Sequence, residues 1–196
     1  MIQNTPEQSC CHFFETLSTH SRTRTLLSAL HTKDIQTTLV LFLIWYSTNN
    51  YGRVSKRDIE TLKEASEAWH RNVVRALSNL ANAITTTKME ESIKEEAHTL
   101  NQFALKAEME MLEKTLKLKP APPRSIEQQL NDCCHNLAKY LNTAKQGIDA
   151  ALEYNVSLLM HACFPSCIHE ILETKLNQAI KKVGPHSKAS QKELPL

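Results

Sequence analysis

The stretch SKRDIETLKEASEAWHRNVVRALSNLANA, residues 55–83, decides the fold class of this chain. Ser55 and Asp58 have the spacing of a capping box, in which each side chain accepts a bond from the other residue's backbone N–H, so a helix begins here. Apolar or small side chains then recur in alternating steps of three and four residues. These positions are Ile59, Leu62, Ser66, Trp69, Val73, Ala76, Leu80 and Ala83. A heptad repeat of this kind predicts one continuous helix with a seam that packs on a second helix and buries Trp69.

A second helix is predicted after a very short turn. Residues 85–87 are three Thr in a row, which are poor helix formers, and residues 87–90 again have capping-box spacing. The next heptad positions are Ile93, Ala97, Leu100, Ala104, Ala107, Met111 and Leu118. Two long helices joined by so short a turn lie antiparallel. The sequence therefore predicts an all-α fold, a helical bundle built on a long antiparallel helical hairpin with additional C-terminal helices.

The longest apolar run is LVLFLIWY, residues 39–46. A bilayer span needs about 20 apolar residues in a helix, so this run is too short to cross a membrane. A helix that is apolar on every side is normally buried on every side. We therefore expect it to be the most buried of about seven helices.

Composition excludes several other classes. With only 3 Gly and 7 Pro among 196 residues, the chain lacks the turn residues of a mostly β fold and the Gly-rich loops that bind phosphate. The formal net charge is +2, from 23 basic and 21 acidic residues, and no basic stripe with interleaved aromatics is present. This balance argues against a nucleic-acid partner.

The Pro-rich segment at residues 120–124 predicts an extended linker between two parts of the chain. Residues 1–119 are expected to form one helical domain, residues 125–184 a C-terminal helical extension, and residues 185–196 a disordered polar tail.

The C-terminal extension is predicted to contain a helix over residues 126–163 that Gly147 weakens in its middle. A two-helix extension buries too little surface to be stable alone. Because residues 88–114 are acidic and the C-terminal part is basic, we expect the extension to dock on the hairpin of residues 55–118 in the same chain. A monomer is favoured, and exchange between two chains into a homodimer is the alternative.

The six Cys residues are predicted to be reduced thiols. Two pairs are adjacent in sequence, at residues 10–11 and 133–134, and neighbouring Cys rarely bond each other. The first 20 residues contain no apolar run like that of an export signal. A cytoplasmic location is therefore expected.

A metal site is the main alternative for part of these residues. His161, Cys163, Cys167 and His169 surround a Pro-broken turn and could form a tetrahedral zinc site. The Cys-x₃-Cys spacing is unusual for zinc, however, and a free Cys packs as a small apolar residue. Core packing is the favoured interpretation, with no metal, no cofactor and no catalytic residue.

Two Glu-x-x-His motifs, at Glu67–His70 and Glu95–His98, resemble half of a di-iron ligand set. In an antiparallel hairpin the two motifs lie about seven residues apart along the axis, or about 10 Å. Bridging ligands have to converge within about 4 Å, so we interpret both motifs as exposed polar faces.

One charged patch is a candidate interaction site. Arg71 and Arg75 lie one helical turn apart beside Trp69, and together they could bind an acidic partner. The alternative is a solvated face on which Glu67 pairs with Arg71.

Four segments resemble the DUF2390 (TIGR02444) family of uncharacterised bacterial proteins over about residues 13–112. They are Phe13-Phe14, the Leu-rich run 39–45 that ends in Trp, the stretch 69–77 that reads WHRNVVRAL, and the acidic helix at 105–110. The resemblance implies a small helical domain of bacterial origin, and it carries no activity and no functional residue.

These observations favour a non-catalytic cytoplasmic protein rather than an enzyme. We expect an adaptor or regulator that acts through protein–protein interaction with another protein, with neither nucleic acid nor a membrane as partner. The alternative is a metal-binding or enzymatic protein with its site around residues 161–169.

Overall fold

The computed structural model describes residues 9–18, 20–31, 35–119, 122–143 and 147–184. Within these residues the fold is all-α and contains no strand, as the sequence predicted. The elements are α1 (Cys10–Ser18), α2 (Ser21–His31), α3 (Thr37–Thr48), α4 (Lys56–Trp69), a π-helical turn (His70–Val74), α5 (Arg75–Thr86), α6 (Glu91–Thr115), α7 (Ile126–Leu141), α8 (Ala150–Cys163) and α9 (His169–Val183). The predicted tail at residues 185–196 lies outside the described part.

Helix α3 is the centre of the fold. Every residue from 39 to 45 is at most 1% exposed, which confirms the expected burial, and only Tyr46 is half-buried. The helix contacts α1, α2, α6, α7 and α8, so it is covered from several sides. No helix in the described ranges is both long and apolar enough to cross a bilayer.

The predicted capping boxes have different outcomes. The box at Ser55 and Asp58 forms, with N–O distances of 2.7 and 3.0 Å, and the equivalent box at Ser125 and Gln128 also forms. The prediction of a box at residues 87–90 is wrong. Helix α6 begins one turn later, and Glu90 at its cap position makes no side-chain cap bond.

The contacts between α4–α5 and α6 have antiparallel order. The indole Nε1 of Trp69 donates to the carbonyl oxygen of Ala104 at 3.0 Å, and Ser78 Oγ donates to Asn101 Oδ1 at 2.9 Å. The buried side chains on the facing sides are small and include Ala81 and Ala97. Small side chains let the two helices lie close together.

The π-helical turn His70–Val74 changes which face of the helix is buried. A π turn contains one residue more than an α turn, so later residues are rotated by about 100° relative to a continuous α-helix. Before the turn, the seam residue Ser66 is fully buried. After it, Val74 and Ala81 are buried, whereas the seam residue Leu80 is 48% exposed.

The prediction of a continuous heptad seam is therefore wrong beyond the π turn. Trp69 and Val73 are half-buried rather than buried, and Ala76 and Ala83 are exposed. The physical reason is the inserted residue, which shifts the core-facing register by one position from Leu80 to Ala81.

The C-terminal extension contains three helices rather than the predicted two. Helix α7 ends at Leu141, and α8 begins at Ala150 after Gly147, whose φ of +73° is left-handed. Gly adopts this conformation without steric cost and cannot continue a right-handed helix in it. The predicted single helix over residues 126–163 is thus replaced by two.

The C-terminal helices pack within the same chain, but on a different surface from the one expected. Helix α7 packs mainly on α3 and α9, and α8 packs on α2 and α9, whereas α7 barely touches α4. Docking on the hairpin was predicted from charge. The apolar α3 receives the extension instead, because an all-apolar helix has to be covered on every side.

Polar contacts join the two parts beside this apolar interface. Asn136 on α7 is fully buried, and it bonds Ser47 Oγ at 3.1 Å, the Gly52 carbonyl oxygen at 2.9 Å and the Val54 N–H at 2.9 Å. At the end of the predicted linker, Arg124 bonds Asp132 Oδ2 at 2.6 Å, and this linker end is therefore anchored.

Candidate functional site

The π-helical turn places His70 against a buried carboxylate on α6. His70 Nδ1 lies 3.1 Å from Glu108 Oε1 and 3.2 Å from Oε2. The Glu108 side chain is 0% exposed and that of His70 is 13% exposed. An ionised carboxylate only accepts hydrogen bonds, so with Glu108 ionised the donor is Nδ1. π turns are frequent at functional sites, which makes the surroundings of His70 the first candidate.

A cavity of about 70 Å³ lies beside His70, and we call it the inner cavity. Its apolar wall includes Phe14 and Leu41, and its polar wall includes Thr38 and Ser78. The remaining described lining residues are Leu27, Thr37, Val74, Ala81, Asn82, His98, Asn101, Gln102 and Leu105. The described lining contains hydroxyls, amides and imidazoles but no Lys, Arg, Asp or Glu.

An open groove of about 530 Å³, the outer groove, runs between α1 and α6 next to the inner cavity. Phe14, His98 and Gln102 line both spaces, so they form the boundary between them. Lys106 lines the groove and forms an ion pair with Glu15 of α1. Cavity and groove together form one continuous site that is narrow at the inner cavity and wide at the outer groove.

The opposite side of the α5–α6 pair carries large exposed apolar side chains. Leu80 on α5 is 48% exposed, and Ile93 and Leu100 on α6 are 38% and 53% exposed. The helical period places these residues away from Ser78 and Asn101, which line the inner cavity. We call Leu80, Ile93 and Leu100 the apolar strip.

The predicted interaction residues lie at the end of this pair nearest the core. Arg71 forms an i,i+4 ion pair with Glu67, and both side chains are exposed, as the alternative interpretation expected. Arg75 is exposed one turn further on. Trp69 lies half-buried between α4 and α6. The structure thus places these three side chains on one helical segment, but Arg75 is about 140° around the helix from Leu80.

The candidate metal ligands around residues 161–169 are only partly brought together. The rings of His161 and His169 are 5.9 Å apart, and His169 Nε2 lies 2.9 Å from Ser157 Oγ. Cys163 belongs to the hydrophobic core, where burial raises its pKa to about 12, while Cys167 is half-buried. Among the residues that the structure describes, no three His, Cys, Asp or Glu side chains are grouped to hold a metal ion.

The six thiols are all free. Burial raises the pKa of Cys134 to about 12 and also raises the pKa values of Cys10, Cys11 and Cys133. A thiol with so high a pKa is protonated at neutral pH and is a poor nucleophile and metal ligand.

The Glu-x-x-His motifs were interpreted as exposed faces, and this is correct for only part of them. Glu67, Glu95 and His98 are exposed, but His70 is half-buried, and both His side chains line the inner cavity. The sequence reasoning missed Glu108 and Thr38 entirely. Glu108 follows the buried Ala97 and Ala104 at helical spacing, so its position on the packed face of α6 was visible in the sequence.

Comparison with protein families agrees with the resemblance described above. The family model DUF2390, described as a protein of unknown function, matches residues 16–116, which is just over half of the chain. The match covers the π turn, the apolar strip and every described lining residue of the inner cavity except Phe14, and α7, α8 and α9 lie beyond it. No curated protein and no solved structure matches the chain. The chain belongs to the DUF2390 family.

Proposed function

We propose that this protein is a non-catalytic adaptor or regulator that binds a helix of another protein along the apolar strip. The observation that carries the proposal is the exposure of Leu80, Ile93 and Leu100 on one side of the α5–α6 pair. Large apolar side chains that share a helix face and remain exposed are typical of an interaction surface.

The shape of the strip favours a helix as its partner. Leu80 lies on α5 while Ile93 and Leu100 lie two turns apart on α6, so the strip borders the furrow between two antiparallel helices. A third helix that places apolar residues in this furrow at i, i+3 or i+4, and i+7 completes a three-helix bundle.

Helix α5 has room for such a partner. Within the described residues α5 packs on α6 and on the π turn, and on no further helix to a comparable extent. The charge of Glu96 beside the strip also indicates the charge of the partner helix. Glu96 is exposed between Ile93 and Leu100, so the partner helix carries Lys or Arg next to its apolar residues. Trp69, Arg71 and Arg75 remain candidate contacts at the end of the strip nearest the core.

The proposal includes a cytoplasmic location and a monomer that engages a different protein, without nucleic acid or membrane as partner. The free state of all six thiols supports a reducing compartment. Packing of α7 and α8 on α3 and α2 within one chain supports the monomer.

Quantitative affinity purification from cells that naturally produce the protein tests this proposal. The baits are the wild type, the double variant Leu80→Gln/Leu100→Gln, and the control Ile126→Gln/Ile171→Gln, which changes exposed apolar residues on other helices. We expect a protein with a basic amphipathic helix to be retained by the wild type and the control and lost with the strip variant.

Light scattering of the same three proteins addresses self-association. A wild type that is a stable dimer, together with a strip variant that is a monomer, would overturn the proposal in favour of a second copy as the occupant. An identical set of retained proteins for all three baits would also overturn it.

A further inference from the structure

The hydroxyl of Thr38 is the most unusual feature of the inner cavity. Thr38 is 0% exposed and lines the cavity, and its Oγ1 makes no hydrogen bond. Helical Ser and Thr commonly bond a carbonyl oxygen of the preceding turn. Ser47 and Thr48 of the same helix do so, with O–O distances of 2.8 and 3.0 Å. A buried hydroxyl without a hydrogen-bond partner costs free energy. A polar ligand atom that reaches the Thr38 hydroxyl would therefore gain a hydrogen bond there.

The rest of the polar wall contains no Lys, Arg, Asp or Glu among the described lining residues, and part of it is held in place by hydrogen bonds. Ser78 donates to Asn101 Oδ1 across α5 and α6, which fixes the orientation of this amide at the cavity. His70 is held by Glu108 from outside the cavity lining. The described lining residues thus offer hydroxyl and amide groups, which both donate and accept hydrogen bonds, without a Lys or Arg to neutralise an anion.

The dimensions indicate a head-group pocket. An engineered apolar cavity of about 150 Å³ binds benzene, so a cavity of about 70 Å³ accommodates a group of a few heavy atoms rather than a whole metabolite. The outer groove of about 530 Å³ lies within the range of ligand clefts. Because Phe14, His98 and Gln102 line both spaces, one ligand can extend from the cavity into the groove.

We propose that the inner cavity binds the uncharged head group, a primary amide or a hydroxyl, of a small molecule whose apolar body lies along Phe14 and Phe103 in the outer groove. Thr38 bonds the head group, and Ser78 with Asn101 positions it. This site lies on the opposite side of the α5–α6 pair from the apolar strip, so it is independent of the proposed partner surface.

The lining also determines which ligands are rejected. A carboxylate in the cavity would lose its hydration without gaining a Lys or Arg partner among the described lining residues, and burying an unpaired charge is far more costly than burying an amide. An amide and the carboxylate of the same chain length therefore form a matched pair of probes. Hexanamide and hexanoate differ only in the head group that enters the cavity.

The experiment titrates the full chain with each probe and follows backbone amide signals by ¹H–¹⁵N NMR. We expect hexanamide to shift the signals of Thr38, Ser78 and Asn101 in a saturable manner, and hexanoate to bind at least about 10-fold more weakly. Thr38→Val removes the hydroxyl and should weaken hexanamide binding by about 3- to 10-fold, the value of one hydrogen bond.

Thr48→Val is the matched control, because Thr48 is buried in the same helix but does not line the cavity. It should leave hexanamide binding unchanged. Removal of an unpaired hydroxyl does not destabilise the fold, so Thr38→Val should melt at or above the wild-type temperature.

Three results would overturn the inference. The first is equal binding of hexanamide and hexanoate. The second is an equal effect of Thr38→Val and Thr48→Val on hexanamide binding. The third is a crystal structure, grown with hexanamide, in which the inner cavity holds ordered water only.

Discussion

His70 and Glu108 meet across the interface of the π turn with α6, with Nδ1 3.1 Å from Oε1 and the carboxylate fully buried. The contact links the irregular turn of one helix to the regular face of the other. The contact also holds one wall of the inner cavity in position, because His70 lines that cavity.

Removal of the His70 side chain should therefore lower the free energy of unfolding. His70→Ala leaves the fully buried carboxyl group of Glu108 without this hydrogen-bond partner, and we expect a loss of about 1–3 kcal/mol in the free energy of unfolding. Glu108→Gln keeps a hydrogen-bonding group at this position and should lose only about 1 kcal/mol. Urea denaturation measures both values. Arg71→Ala, which breaks only an exposed pair, should change stability by less than about 0.5 kcal/mol. Equal losses in all three variants would contradict the structural role of His70.

The shifted register after the π turn can be tested with neighbouring residues. Ala81→Gln introduces a larger polar side chain into the packed face and should cost about 1–3 kcal/mol. Leu80→Gln changes an exposed residue and should stay within about 0.5 kcal/mol. Thermal and urea unfolding followed by circular dichroism give both values. A continuous heptad seam predicts the opposite order, so a more damaging Leu80→Gln would reject the register shift.

Asn136 should be important for attachment of the C-terminal helices. Asn136→Leu leaves the buried Val54 N–H and Gly52 carbonyl unpaired, at about 1–3 kcal/mol for each group. Asn131→Leu on the same helix changes an exposed residue and serves as the control. We expect a loss of about 2–6 kcal/mol for the first variant in urea unfolding, and almost none for the second. Similar stabilities would show that this hydrogen-bond network contributes little.

The buried thiols predict how stability depends on alkaline pH. Cys134 and Cys163 have pKa values of about 12 in the folded protein, above the ordinary value of 9.0. Between these values the unfolded chain loses protons that the folded chain keeps, so stability is complete below pH 9 and decreases as the pH rises toward 12. The slope per thiol is at most about 1.4 kcal/mol per pH unit. The free energy of unfolding of Cys163→Ala should decrease less steeply with rising pH than that of the wild type, as measured by urea titration at each pH. Parallel curves for the two proteins would contradict the prediction.

Truncation after Lys119 should expose the side of α3 that α7 and α8 cover in the full chain. The remaining fragment still contains the whole family match, residues 16–116. We expect it to be poorly soluble or to bind a hydrophobic dye, because a large exposed apolar patch favours association. Size-exclusion chromatography and dye fluorescence compare it with the full chain. A soluble fragment of unchanged stability would contradict this prediction and show that residues 1–119 fold independently of the extension.

Part of the candidate site could be predicted from the sequence and part could not. The exposed pair of Glu67 and Arg71 followed from i,i+4 spacing alone, because both residues lie on the same helix. The inner cavity is built from α1, α2, α3, α5 and α6, and no local pattern shows how such distant residues meet. Thr38 illustrates this difficulty, since in sequence it is only one polar residue beside an apolar run.

By itself, the sequence determined the all-α class, the capping box at Ser55 and the burial of residues 39–45. These features depend on helical period, local hydrogen bonds and hydrophobicity, which a single segment carries. Only the tertiary structure decided that Ala81 rather than Leu80 is buried and that the C-terminal helices cover α3. The reason is that one extra residue in the π turn rotates everything after it, and that an apolar helix packs with whichever surfaces cover it most completely.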